Sequence, residues 1–298
     1  MSGSASDRYD VEHETRYAYR VPVSQSWQLA HLTPCRLPWQ RVVWHELAIE
    51  PTPDERHETR DSFDNSVTHF GVHGPHPQLR VRMLCEVEIS NRPDASARQT
   101  LAWEAVRESL LDDPAQDGLR AVRMAEPSAL VPWSDAALAY ATPSFAAGCD
   151  WLDAVTDLMR RIHREFEFDA DATTVTTSVD EVLEQRRGVC QDFAHVMIAA
   201  LRSHGLAASY VSGYIRTVNS KQEAALRGAD ASHAWVAVWC GEKAGWVHLD
   251  PTNDLVASQD HVAIAWGRDF SDVSPLRGVI LGGGRHVYSV AVTLVPTG

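Results

Sequence analysis

The feature that most limits the fold of this chain is the segment "GVCQDFAHVMIAALRSHG", residues 188–205. Phe193, Val196, Met197, Ala200 and Leu201 recur at helical spacing, and Gly205 is a natural C-terminal stop. A helix this apolar has to be buried, and the neighbouring segments say against what. "AASYVSGYI", "HAWVAVWC" and "GWVHLD" follow as strands, with "HVYSVAVTLV" last. Before it, Trp151, Val155, Leu158, Met159 and Ile162 fall on one helical stripe. A second helix is marked by Ser178 with Glu181 three residues on, the spacing at which hydroxyl and carboxylate each satisfy a free backbone amide; it should end near Gly188. Helices packed on antiparallel strands make this half α+β.

The first third alternates differently. In "VRMLCEVEI", Val81, Met83, Cys85, Val87 and Ile89 interleave with Arg82, Glu86 and Glu88, the signature of a half-buried strand with Cys85 as a packing residue. "YDVEHETRYAY", "RVVWHELAIEP" and "SVTHFGVHG" are further strands between Pro-, Asp- and Asn-rich turns, which favours an antiparallel β-sandwich from about residue 8 to 95. Residues 96–150 give a mixed signal, with a possible helix in "LAWEAVRESLLDD" and prolines in "EPSALVPWS", and are expected to be a connector. The expected division is 1–125 for the sandwich plus connector and 126–298 for the second unit, as suits a chain of 298 residues. A formal charge of −13 argues against a nucleic-acid surface, which needs clustered Lys and Arg. "MSGSASDRYD" lacks the pattern of a secretory signal and no apolar run is long enough to span a bilayer, so a cytoplasmic protein with no membrane partner is expected. The five cysteines form no CxxC pair, so neither a disulfide framework nor a zinc site is suggested. Cys35 and Cys149 lie in loop-like surroundings and are read as incidental thiols.

Cys190 is different, because it stands at a helix start. Unpaired amides and the positive end of the helix dipole there favour thiolate over thiol, and its own amide could donate to an oxyanion. A buried structural cysteine is the competing reading of this stretch alone. "SHAWVAVWCGEKAGWVHLDPTN" shifts the balance. It reads as a hairpin whose strands begin at His233 and end at Asp250, and any even-length turn among residues 240–245 puts both side chains on one face, opposite or one diagonal step apart. Asp250 can then accept from one imidazole nitrogen and leave the other to take the thiol proton. Pro251 holds Asp250 extended.

Thiol at a helix start, then His, then Asp on adjacent strands is the order of the papain-like and transglutaminase-like cysteine enzymes. "GVCQDFAHVMIAALRSHGLAASYVSGYI", "ASHAWVAVW" and "GWVHLDPTN" resemble the core of the bacterial transglutaminase-like family, over roughly 150–298. "YDVEHETRYAY" and "DSFDNSVTHF" are similar to that family's N-terminal β region. The resemblance implies Cys190 as nucleophile, His233 as general base and then acid, and Asp250 as the residue orienting the imidazole. It implies a peptide or protein substrate and calls for no cofactor. Gln191 replaces the Trp that animal transglutaminases commonly carry after the nucleophile, which weakens any transfer of their calcium dependence or glutamine preference. Where the family reads Phe-Gly-Asn, this chain has Phe63, Asp64 and Asn65, so that turn is expected to differ.

Other residues admit two readings. Asp192 and His195 could line the cleft or fix the helix start, and the structural role is preferred for both. Trp235, Trp239 and Trp246 could form an apolar wall for a substrate side chain, the first two sharing the strand parity of His233, or could be core, and Gln191 and Asp192 are further candidate substrate contacts. Arg268 in "GRDFSDVSPLRG" could bind a substrate carboxylate or be held in an ion pair. His73 and His76 find no third ligand nearby, and "LGGGRH" lacks the context of a phosphate loop. The expected function is cysteine-dependent acyl transfer on amide bonds, with hydrolysis favoured over amine transfer. Its rivals are a non-catalytic binding or scaffold module and a metal-dependent hydrolase.

Overall fold

The computed structural model describes residues 6–92, 101–110, 116–216, 232–242 and 244–297. In chain order, β1 (Ser6–Ala30), β2 (Gln40–Glu50), β3 (Glu55–Arg60), β4 (Ser66–Val72) and β5 (His76–Ser90) come first. Helices α1 (Trp103–Ser109), α2 (Gln116–Ala125), α3 (Asp135–Ala141) and α4 (Trp151–Glu165) follow. The short strands β6 (Glu167–Phe168) and β7 (Arg187–Gly188) flank α5 (Val179–Gln185), and α6 (Cys190–Ser203) comes next. The chain ends with β8 (Ala208–Ile215), β9 (His233–Trp239), β10 (Trp246–Asp250), β11 (Leu255–Val256), β12 (His261–Gly267), α7 (Phe270–Val273), β13 (Leu276–Gly282) and β14 (His286–Pro296). The protein is α+β, with a β region ahead of a helix-and-sheet unit.

The first strands hydrogen-bond into one seven-stranded sheet, because β1 runs through both of its halves. Residues 6–18 pair with β5 and residues 9–19 with β14, while residues 26–30 pair with β4 and 23–30 with β13. The register shifts between Ala18 and Val23, a stretch that contains Pro22, which cannot donate to a ladder. The continuity of β1 thus refines the expected sandwich. "HVYSVAVTLV" belongs to this first sheet and not to the second, since β14 pairs with β1 over eleven residues. β5 alternates as its sequence demands, with Val81, Met83, Val87 and Ile89 fully buried.

The expected connector carries α1, α2 and α3 among its described residues, and 93–100 and 111–115 lie outside the described residues. Its prolines Pro127 and Pro132 fall between α2 and α3, and Ser134 caps α3 by accepting from the Ala137 amide at 2.9 Å. Seven-residue helices such as α1 and α3 are too short to print a periodic stripe.

The second sheet has the order β11-β10-β9-β8-β12, antiparallel throughout. α6 packs on β8 and β9, and Phe193, Val196, Met197 and Leu201 are completely buried. Truncating any one to Ala would cost ~2–5 kcal/mol. The Ser178–Glu181 capping box forms as expected, and α5 ends at Gln185 because Arg186 adopts a left-handed conformation with φ 54°.

β12 is the edge strand of this sheet, and the first sheet covers it. Gln40 donates through Nε2 to the Ala263 carbonyl at 2.7 Å and accepts the Ala263 amide on Oε1 at 2.8 Å. Asn65 does the same for Trp266, donating to its carbonyl at 2.8 Å and accepting its amide at 3.0 Å. The Cys35 amide donates to Ala263 O, and its thiol donates to Ile264 O at 2.9 Å. Unpaired edge groups are thereby satisfied from another layer. The turn carrying Asn65 is of the glycine-favouring kind: Asp64 has φ 68°, so an aspartate takes up the left-handed conformation and the expected difference reduces to a side chain.

Candidate active site

Cys190 is the first residue of α6 and is half-buried, packed in part against the main core. Gly188 and Asp192 shape that helix start. Asp192 Oδ2 accepts the Val189 amide at 2.8 Å and the Thr173 hydroxyl at 2.6 Å, and a Cβ at position 188 would lie 2.5 Å from the same oxygen. Asp192 is therefore a helix-start anchor rather than a free cleft carboxylate; burial pushes its pKa up, against those two hydrogen bonds. Gln191 lies at the rim, with Nε2 3.5 Å from the Val175 carbonyl. His195 faces inward and accepts the Phe270 amide at 3.2 Å.

The β9–β10 hairpin sets the other two groups. Trp239 pairs with Trp246 and Val236 with Leu249, and one further step brings Asp250 opposite Trp235, a diagonal step from His233. His233 Nε2 lies 2.8 Å from Asp250 Oδ2, and both side chains are fully buried. Nδ1 is buried and closes no hydrogen bond among the described residues. Cys190 lies close enough to bias the ring toward its protonated form. Burial pulls the His233 pKa down, but the Asp250 charge and hydrogen bond, with Cys190, push it up to about 10. Burial would raise the Asp250 pKa, but the His233 charge and the surrounding hydrogen bonds hold it well below the usual carboxylate range.

Asp250 is fixed by its own turn. Oδ1 accepts the Thr252 amide at 3.0 Å and the Asn253 amide at 3.3 Å, and Oδ2 accepts Asn253 Nδ2 at 2.8 Å. His261, at the start of β12, contributes a further ring nitrogen 3.3 Å from Oδ2. Sequence reasoning missed Asn253 and His261. "DPTN" carries the signal of an Asp-led turn that could have pointed to Asn253. β12 carries none, because it is buried on both faces and shows no alternation.

Two expected substrate contacts are taken up by partners within the protein. Trp235 is completely buried, donates Nε1–H to His248 Nδ1 at 3.0 Å, and lies against Gly213, where a Cβ would come within 2.6 Å of its ring. It is core, not a pocket wall. Arg268 makes a two-pronged pair with Asp272, Nε at 2.9 Å and Nη2 at 3.1 Å, at the end of β12 opposite His261. Two of the other thiols are held protonated: burial pushes both Cys35 and Cys85 up to about 12. A cavity of about 560 Å³ lined by Arg36, Arg60, Arg120, Trp44 and Trp266 lies between the sheets and does not include Cys190.

The arrangement of half-exposed thiol, imidazole and buried carboxylate, on a helix start and two adjacent strands, belongs to a transglutaminase-like fold. Residues 9–88 match the bacterial transglutaminase-like N-terminal region and residues 140–251 match the transglutaminase-like superfamily. The chain belongs to the bacterial transglutaminase-like family. It is 38% identical to an uncharacterized protein of Mycobacterium tuberculosis, over 98% of this chain and 94% of that one. It is 31% identical to an uncharacterized protein of Mycobacterium leprae, over 96% of this chain and 98% of that one. In fold it is similar to the crystal structure of a candidate cysteine protease from Cytophaga hutchinsonii, with a TM-score of 0.76 at 20% identity over 98% of this chain and 91% of that one.

Proposed function

We propose that the protein is a cysteine-dependent acyl-transfer enzyme that cleaves amide bonds of peptides or proteins through a thioester, with water as the preferred acceptor. The observation that carries this reading is His233, tied through Nε2 to a fully buried Asp250 at 2.8 Å while Nδ1 closes no other hydrogen bond among the described residues and the ring interacts with Cys190. A binding groove has no use for that set, whereas acyl transfer needs every part of it.

In the proposed cycle, the His233 imidazole takes the Cys190 proton and the sulfur attacks the amide carbonyl. The tetrahedral oxyanion collapses to a thioester as the C–N bond breaks, and His233 passes its proton to the leaving amine. His233 then takes a proton from water as the hydroxide attacks the thioester, and the C–S bond breaks to release the acid while His233 returns that proton to the sulfur. Asp250 stays anionic throughout and stabilises the imidazolium. The Cys190 amide, in the first turn of α6, is one donor to the oxyanion. Water needs no acceptor site of its own, which is why hydrolysis is preferred to amine transfer.

Incubating the protein with a peptide library, and reading released ammonia and new termini by mass spectrometry, tests this. Products that vanish in Cys190→Ala are expected, and new termini without ammonia would mark a peptidase rather than a side-chain amidase. Isopeptide cross-links to an added amine would move the reading to a transglutaminase. Products that persist in Cys190→Ala would refute it.

A further inference from the structure

Asp250 Oδ2 sits between two imidazoles, and the acyl-transfer cycle uses only one of them. We propose that His261 is a positioning residue of this site: its Nε2–H, reaching from β12, holds Asp250 Oδ2 against the His233 ring. The inference rests on the acyl-transfer reading and adds a fourth member to its machinery.

The tautomer follows from the neighbours of the ring. The Ser258 backbone N–H points at His261 Nδ1 at 3.3 Å, and a nitrogen that accepts has no proton of its own. The proton is therefore on Nε2, which lies 3.3 Å from Asp250 Oδ2. Both side chains are completely buried, so water does not compete for that oxygen. The groups facing His261 keep it neutral: burial lowers its pKa, the Asp250 carboxylate opposes that, and His233 and Arg92 add to the lowering. The positive charge of the buried cluster thus resides on His233, where the chemistry uses it.

Topology explains why such a donor is useful. Thr252 and Asn253 belong to the same turn as Asp250 and move with it. His261 is on a different strand, two strands away across the sheet from β9, and that strand is clamped by Gln40 and Asn65. Its backbone is also held, since Arg92 Nη2 donates to the His261 carbonyl at 3.3 Å. His261 ties the carboxylate to the rigid side of the sheet.

Ligand atoms of His233, Asp250 and His261 all lie within 4.8 Å of one another, a spacing that could also hold a cation. A cation would need the Nε2 lone pair of His261. The Ser258 amide, by occupying Nδ1, puts a proton there instead. The protonation pattern is that of a hydrogen-bonded relay.

Two isosteric substitutions separate positioning from bulk packing. His261→Gln keeps a donor where Nε2 stands, while His261→Asn keeps a polar group near Nδ1 but does not reach Asp250. Alkylation of Cys190 by iodoacetamide is followed at that site by mass spectrometry as a function of pH. His261→Asn should react about tenfold more slowly at neutral pH, the scale of one hydrogen bond to a charged group, with a displaced pH profile. His261→Gln should stay within about threefold of wild type on the same estimate. An Asn variant as fast as wild type, or a Gln variant as slow as Asn, would overturn the proposal. ¹⁵N NMR of the wild-type protein gives an answer that needs no variant: a neutral Nε2–H ring at position 261 is expected at pH 6–8, and an Nδ1–H tautomer or a cation there would contradict it. A wild-type Cys190 no more reactive than in His233→Ala would instead defeat the acyl-transfer reading, which keeps the two failures apart.

Discussion

At the scale of single residues, the site works by unequal burial. Cys190 is partly exposed, while the His233 and Asp250 side chains are buried, so the thiol lies toward the outside of the site and the carboxylate behind the imidazole. Desolvation would neutralise either group alone; each is kept charged by the other. Asp250→Asn keeps the shape but removes the counter-charge of the imidazolium. Turnover on whichever peptide the library yields should fall by at least about 100-fold, with KM little changed. Position 213 is a second sensitive point. A Cβ there would sit 2.1 Å from the Val262 carbonyl and 2.6 Å from Trp235, so Gly213→Ala must displace the indole next to His233. Thermal melting should show a loss of ~1–3 kcal/mol for that overpacking.

At the scale of elements, the active geometry depends on an edge strand held from outside its own sheet. Asn65 is one of two buried side chains that clamp β12, and Asn65→Ala would leave the Trp266 amide and carbonyl without their side-chain partner. Each orphaned group costs ~1–3 kcal/mol, so the variant should lose about 2–6 kcal/mol in chemical denaturation. Asp64→Gly, by contrast, should be neutral or slightly stabilising, because φ at that position is already left-handed. A stable Asn65→Ala variant would mean that Gln40 and Cys35 hold β12 without Asn65.

At the scale of the whole molecule, two buried histidines, His13 between the sheets and His195 in α6, would loosen the fold on protonation. His13 of β1 meets the Tyr214 hydroxyl of β8 at 2.9 Å, and burial pushes its pKa down to about 4. His195 is pushed down to about 4 in the same way. Unfolded, both would titrate near about 6.5. Between those values the unfolded chain binds more protons than the folded one, so the stability these groups provide is complete above about pH 6.5 and is lost as the pH falls toward 4, at ~3 kcal/mol for each. His233 acts in the opposite sense: its raised pKa stabilises the fold below about 6.5 and that contribution is lost as the pH rises through about 10. Melting temperatures should therefore be highest near neutrality and fall in both directions; a midpoint that holds between pH 7 and 4 would contradict this.

Much of this was legible in the residues. The helical spacing after Cys190, the Ser178–Glu181 cap and the alternation of β5 each report a local rule that tertiary packing obeys. The parity of the β9–β10 hairpin places His233 and Asp250 on one face from spacing alone. What stayed hidden was non-local. No sequence rule says that β14 returns to β1, that Gln40 and Asn65 reach across to β12, or that His261 completes the shell of Asp250. Trp235 and Arg268 misled for a related reason: each is taken up by a partner, His248 or Asp272, that the pattern of its own strand does not disclose.

The most direct measurement is the rate at which Cys190 is alkylated at pH 7, read site by site and compared with Cys149 in the same molecule and with Cys190 in His233→Ala. The account predicts that Cys190 reacts faster than Cys149 by at least about tenfold and that the advantage disappears in the variant. Equal rates at the two cysteines, or an advantage that survives loss of the imidazole, would contradict it.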